Sequence, residues 1–513
     1  MKFQNFKFIN TNWAIFIALA VAIIGIGIAV FYAGQPLLEF FGFRQTQTAL
    51  TSFWMLKEGW ELAYQTPVAG YPWSIPFEFP IYQSIVAFIV WALNVPLDST
   101  GRILSFCFLL ACGWPAFQMA KRLHLSDCAP WVFCALLWSS PIYLFWGRTF
   151  MIETAALFFI FAAMPYALDL RNLKPRLRSV ILFIFFATLA MLQKATTALP
   201  VLMVMAVLLL IIYVKDNGLR IPPWRYIVCV MVSFAVPIFI GVLWVLYTDM
   251  VKELNIFGLY LTSDSLFAWN WGTYAQRLDF SIWKTILWNR VFLNNAAGWF
   301  GVLLLGYAIF RGKKQTRTLI LISLLLFILP VCLFINLHQV HDYYQVVNVL
   351  FLTSALTIAI ISLPKLFGRN VLVPTVTIFF VISNFYFFSV GYATNLKMKI
   401  PADNTLLAMS AAIKQYTPKD SAIVVFGLDW SSELAYYSER KAFTVPGWIP
   451  EYDAVWQAPI AFIGDKKLGA LVLCEAGDKP NLEQIMTHPI TKQNTKFLKI
   501  DHCYLWFPEA IDS

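Results

Sequence analysis

Residues 13–33 form an uninterrupted apolar run, long enough at about 1.5 Å per residue to cross the hydrocarbon core of a bilayer. Ten further runs follow, near 103–120, 130–146, 152–169, 179–193, 198–214, 227–247, 297–310, 318–336, 345–363 and 372–392. We read them as about eleven transmembrane helices. A cleaved signal peptide is the rival reading of the first run, but the run is long for one and has no small-x-small cleavage site. A twelfth apolar stretch at 79–95 is read as a juxtamembrane helix, because letting it span would turn every later basic cluster outward. With that choice Lys121 and Arg122, the 171–178 group, Lys215 with Arg220 and Arg225, the 311–317 group, and Lys365 with Arg369 all face the cytoplasm, as the positive-inside bias requires. Lys2 and Lys7 put the start of the first helix on that side as well.

Past residue 397 the pattern changes. Short apolar segments, AIVVFG at 422–427, LGALVLC at 468–474 and KIDHCYLWF at 499–507, alternate with polar or helix-like stretches such as 403–416. This predicts strands and helices of a small α/β domain, placed outside by the odd number of spans. The expected organisation is a polytopic α-helical membrane domain over 1–396, with 34–102 as its first extracytoplasmic loop, and an extracytoplasmic α/β domain over 397–513.

Composition agrees: 59% of the 513 residues are hydrophobic and only 13% charged, which excludes an ordinary soluble protein. The formal charge of +10 is dispersed between apolar spans, so it marks topology and gives no nucleic-acid footprint. Six of the eight cysteines lie in or beside apolar runs, where Cys is a small hydrophobe. Cys474 and Cys503 fall in the polar region, and an oxidising compartment would allow them to pair.

Candidate chemistry collects in the outward loops. Glu39, Arg44, Gln45, Gln47, Glu78 and Arg102 lie in the first; Arg148 and Glu153 bracket the second; Gln193 and Lys194 form a tight turn; Arg277, Arg290, His338, His341, Asp342, Tyr343 and Tyr344 come later. Ionisable groups at membrane depth are costly and therefore candidates for function. Cations beside carboxylates suit an anionic lipid-linked substrate, the cations holding a phosphate while a carboxylate takes a proton. Bland readings stand beside these: Glu78 as a cap of the juxtamembrane helix, Glu153 as a partner of Arg148 near a helix start, Lys194 as a snorkelling side chain, Arg44 as a headgroup contact. His338 and His341 have a spacing that can hold a metal, but no third ligand is suitably placed, so no cofactor is expected and a divalent metal stays a minor possibility.

The order of the loops resembles the type C glycosyltransferases, among them the dolichyl-phosphate-mannose protein mannosyltransferases and the lipid A aminoarabinose transferases. FRQTQTA at 43–49 occupies the place of a first-loop acidic pair, and FEFPIYQ at 77–83 resembles a Glu-Lys-Pro-Pro-like segment. GRTFMIETAALFF at 147–159, LQKATTALP at 192–200 and HDYYQ at 341–345 resemble the family's second-loop, lysine-turn and late-loop motifs. The chain departs from the pattern at Arg44 and Gln45, where relatives carry acids, and at Phe79, where they carry lysine. The resemblance implies transfer of a sugar from a polyprenyl-phosphate donor to a lipid, glycan or protein acceptor at the outer face of a bacterial inner membrane. Glu78 or Glu153 would be the base, Arg44, Arg148 and Lys194 would bind the donor phosphate, and Gln45, Gln47, Tyr82, His341, Asp342, Tyr343 and Tyr344 would contact substrates. A lipid or sugar transporter and a catalytically inactive polyprenyl-lipid-binding scaffold remain the alternatives.

Overall fold

The structure, a computed structural model, describes residues 11–396, 399–475, 491 and 496–508. Lys2 and Lys7, which orient the first helix, lie outside the described residues. Every apolar run read from the sequence is helical. Among the described residues seven helices are long and apolar enough to cross a membrane: Asn12–Phe31, Leu97–Arg122, Ala195–Asn217, Trp224–Lys252, Lys314–Leu333, Asp342–Phe367 and Leu372–Gly391.

The other four expected spans are short or broken, for identifiable reasons. The run at 130–146 divides into Ala129–Ser139 and Pro141–Trp146, because Ser140 takes an extended backbone ahead of a proline. Glu153–Asp169 and Leu177–Gln193 have 17 residues each. Trp299–Arg311 is bent by 91° from the helical stretch Phe280–Asn295; Ala297 and Gly298, both at positive φ, break the chain there. The apolar stretch read as juxtamembrane forms a helix of 13 residues, Ile81–Leu93, only about 20 Å long.

The chain resolves into two compact units. One comprises residues up to Gly34, Arg102–Trp244 and Phe267–Leu396; the other comprises Gln35–Gly101, Val245–Leu266 and the chain from Lys397 onward. In the first unit the helix Gln345–Phe367 is buried almost all round, as expected for an apolar helix with no polar face that sits in the middle of a bundle. The outer helix Asn12–Phe31 instead leaves Phe16, Ile23 and Phe31 exposed, side chains suited to lipid.

The second unit holds a five-stranded sheet. Strands β1 (Ala422–Phe426), β2 (Lys441–Val445), β3 (Leu468–Cys474), β4 (Lys496–Ile500) and β5 (Cys503–Phe507) run in the order β2-β1-β3-β5-β4. The first three are parallel, and β5 is antiparallel to both its neighbours. The apolar segment read at 499–507 is therefore a hairpin, turned at Asp501, a residue at positive φ. Cys474 and Cys503 face each other across β3 and β5 and form a disulfide. Residues 67–70 also meet the sheet. Ala442 N–H donates to Pro67 O (3.0 Å), Thr444 N–H to Val68 O (2.9 Å) and Gly70 N–H to Ala442 O (3.1 Å), so residues 67–70 cover the outer edge of β2.

Candidate active site

In the first unit the site begins at a break between two helices. Leu177–Gln193 ends and Ala195–Asn217 starts on either side of Lys194, whose backbone is extended (φ −163°, ψ 95°). That break turns the lysine away from both helix axes. Its Nζ donates to Glu153 Oε1 at 2.7 Å, and the two side chains are 7% and 2% exposed. Glu153 opens the helix Glu153–Asp169, where a carboxylate is favoured by the helix dipole. Its second oxygen, Oε2, is buried and has no hydrogen-bond partner among the described residues. A buried acceptor left so costs roughly 1–3 kcal/mol, which marks it as a place for a water or a substrate hydroxyl.

The other side of the lysine is aromatic. Nζ lies 4.0 Å from the ring centroid of Tyr344 and 5.5 Å from that of Tyr343, within cation–π range. His341 stacks on both tyrosines, and His338 meets Tyr344 edge-on. His338 is buried; loss of solvation, with Lys194 nearby, pulls its imidazole down to about 3, so the ring is neutral near pH 7. Asp342 pairs with Arg290 at 2.8 Å, and Arg290 also donates to His338 O at 2.7 Å. Arg148 is fully buried, with its guanidinium 5.6 Å from the Tyr32 ring and 5.5 Å from the Phe145 ring.

The second unit holds the other acidic candidate. Arg44, in the helix Gly42–Glu58, pairs with Glu78 and donates to Gln47 Oε1 at 2.5 Å. Here the side chains are 15% and 17% exposed. Tyr64 ties the loop down: its hydroxyl donates to Glu78 O at 2.8 Å and accepts from Phe77 N–H at 2.7 Å. Burial, and then the Glu78 carboxylate, push that hydroxyl far above its ordinary range, which keeps it a neutral donor. Gln45 and Tyr82 are wholly buried; Tyr82 donates to Gly101 O at 2.6 Å and Gln45 Nε2 reaches Phe40 O at 3.4 Å.

Two bland readings are corrected by these contacts. Glu153 takes Lys194 and not Arg148 as its ion-pair partner. Glu78 does not cap the helix Ile81–Leu93, whose first turn has no side-chain cap. The structure brings Glu153, Lys194, His341, Tyr343 and Tyr344 into one cluster, and Arg44, Gln47 and Glu78 into another. Sequence reasoning passed over Asn255, whose amide donates to Ala69 O, Gly70 O and Pro72 O. It also passed over Asp98, which accepts from the hydroxyls of Tyr436 and Tyr437. A single polar residue in a loop carries no signal of a partner more than a hundred positions away.

No protein-family model matches this sequence, and no curated protein matches it at significant similarity. Solved structures do. ArnT from Cupriavidus metallidurans bound to undecaprenyl phosphate matches with a TM-score of 0.64 at 13% identity, covering 98% of each chain. The oligosaccharyltransferase of Archaeoglobus fulgidus, solved with Zn and sulfate, matches with a TM-score of 0.59 at 11% identity over 89% of this chain and 68% of its own. The arabinofuranosyltransferase AftD from Mycobacteria matches with a TM-score of 0.52 at 14% identity, covering 98% of this chain and 40% of that one. The chain thus has the fold of type C membrane glycosyltransferases over nearly its whole length.

Proposed function

We propose that this protein transfers a sugar from a polyprenyl-phosphate donor to an acceptor hydroxyl at the outer face of a bacterial inner membrane. The observation that carries the reading is the Glu153–Lys194 pair: a buried cation with a half-satisfied carboxylate on one side and two tyrosine rings on the other, in a chain with a transferase fold. A lysine so placed can exchange one anion for another, moving from Glu153 to a phosphate. Glu153, released, becomes a desolvated base with Oε2 already open.

The reaction would be a single inverting displacement. The acceptor oxygen attacks the anomeric carbon as its proton passes to the Glu153 carboxylate, and the bond from that carbon to the phosphate oxygen breaks. The electron pair leaves with the polyprenyl phosphate, whose added charge Lys194 and Arg148 neutralise. Tyr343, Tyr344 and His341 offer ring faces and hydroxyls to a sugar. Arg44 with Gln47 and Glu78 is the second cation–carboxylate set, and Glu78 is the alternative base. Gln45, Tyr82 and Asp342 would act on substrate through the backbone and Arg290 that they hold. An extracytoplasmic C-terminal region is supported by the Cys474–Cys503 disulfide, since such bonds persist in oxidising compartments.

The test is a transfer assay with purified protein, radiolabelled polyprenyl-phosphate sugars and a membrane extract as acceptor. Glu153→Gln should lower transfer by roughly 10²–10⁴-fold, the usual worth of a general base, with Glu78→Gln run in parallel. Full activity in both variants overturns the assignment. Donor bound without turnover by the wild type would favour a scaffold, and donor moved across vesicles without transfer would favour a transporter.

A further inference from the structure

One cavity of the first unit lies at the far end of the helices from Lys194. A cavity of about 460 Å³ runs between the helices Gly113–Arg122, Ala129–Ser139, Glu153–Asp169, Ala195–Asn217, Lys314–Leu333 and Gln345–Phe367. Glu153 begins one of these helices and Asp169 ends it, so the two ends are roughly 24 Å apart. Packed interiors leave few voids larger than a water molecule, and this one has the volume of a ligand site, roughly 300–1,000 Å³. Its wall is mainly apolar, with Met119, Phe133, Met205, Leu326 and Phe351 among the lining side chains. Water gains little from such a space; a hydrocarbon chain gains a great deal.

The mouth has a definite charge. Arg122, Arg171, Lys215 and Lys314 line it, and among the described residues no carboxylate does. Arg122 is committed: its Nε and Nη2 each donate to Asp169 at 2.9 Å, its Nη1 donates to Gln118 Oε1 at 2.8 Å, and it lies 5.3 Å from the Tyr166 ring. Asp169 in turn accepts from Ser179 at 2.8 Å, so this acid is engaged by Arg122 and Ser179. Arg171, Lys215 and Lys314 are exposed at the rim. They come from three separate parts of the sequence, at the ends of three helices.

We propose that this cavity is a binding site for an anionic glycerophospholipid, with one acyl chain between the helices and the phosphate held by Arg171, Lys215 and Lys314. Basic pockets between membrane helices suit such headgroups, each cation contributing a similar increment near a charged leaflet. The charge bias that orients the chain puts this end at the cytoplasmic leaflet. The site is distinct from the proposed transfer chemistry and does not depend on it.

The test reconstitutes the full chain into phosphatidylcholine nanodiscs and titrates in phosphatidylglycerol, reading retained lipid by native mass spectrometry and thermal stability in parallel. Wild type should retain phosphatidylglycerol selectively and gain stability from it, while glycerol phosphate in solution gives neither effect. The surface variant Arg171→Gln/Lys215→Gln/Lys314→Gln should lose roughly fivefold in affinity per charge, about a hundredfold in all. Ser323→Trp, which fills the cavity and leaves the rim intact, should also abolish retention. Equal retention of phosphatidylcholine, undiminished retention in both variants, an equal response to glycerol phosphate, or displacement by undecaprenyl phosphate at lower concentration would each overturn the proposal.

Discussion

The ion pairs Lys194–Glu153 and Arg44–Glu78 use the same chemistry in different surroundings. Lys194–Glu153 is nearly closed off, at 7% and 2% exposure, whereas Arg44–Glu78 is partly buried and more open, at 15% and 17%. The closed pair sits at a helix break and a helix start, with aromatic rings on the lysine's other side. The open pair joins a helix to a loop, and a neighbouring glutamine shares its arginine. In the closed pair, loss of either partner strands a charge in a low-dielectric interior. In the more open pair solvent still reaches the charge left behind. The closed pair therefore holds charges that burial makes costly to strand, and the more open pair holds charges that are cheaper to remove.

Lys194→Met is the harshest way to test this contrast. It leaves Glu153 buried and uncompensated, so stability should fall by about 3–5 kcal/mol and transfer should vanish. Adding Glu153→Leu should restore most of the stability and none of the activity. Thermal melts of the single and double variants check both statements, and a single variant as stable as wild type would erase the distinction.

A smaller effect is expected in the second unit when Cys474 and Cys503 are both changed to Ser. Losing a disulfide of this loop length costs about 2–4 kcal/mol, and limited proteolysis should then cut the sheet region first while the first unit stays intact. Acid sharpens the comparison from the other direction. The folded state holds His338 near 3, while the unfolded chain takes up a proton below about 6.5. Between those values the unfolded state binds more protons, so stability falls as pH drops through 6.5 and is flat above it. At pH 5 the loss amounts to about 2 kcal/mol, and His338→Gln should remove that slope from a pH series of melts. Least of all, Arg44→Gln should change stability by only about 0–1 kcal/mol, measured by the same melts.

Much of this architecture is legible from the chain because apolar runs of helical length report membrane helices directly. The breaks are harder. Ser140 and Pro141 lie inside a run that reads as one span, and the bend at Ala297 and Gly298 needs two residues at positive φ that hydropathy does not weigh. The strands β1 and β3 were plain as apolar segments, but β2, KAFTV, was hidden behind a charged approach, SERK, and the last strand segment concealed a hairpin. The candidate residues of the closed cluster stand out as polar groups at helix ends. Their partners do not, since Glu153 and Lys194 are separated by 41 positions while Arg148 sits five residues away and competes for the same assignment. The second unit, gathered from three separated stretches, has no signature in a single sequence, because strand pairing depends on distance in space.

The edge contact between residues 67–70 and β2 has a consequence for the order of synthesis. The first partner emerges some 370 residues before the second. At roughly 5–20 residues per second, its amide and carbonyl groups wait on the order of 20 to 75 s for the strand that will pair with them. Throughout that interval several helices are being threaded into the bilayer. A nascent chain stalled short of Lys441 would carry the polar backbone groups of residues 67–70 without their β2 partners, open to pairing with a neighbour.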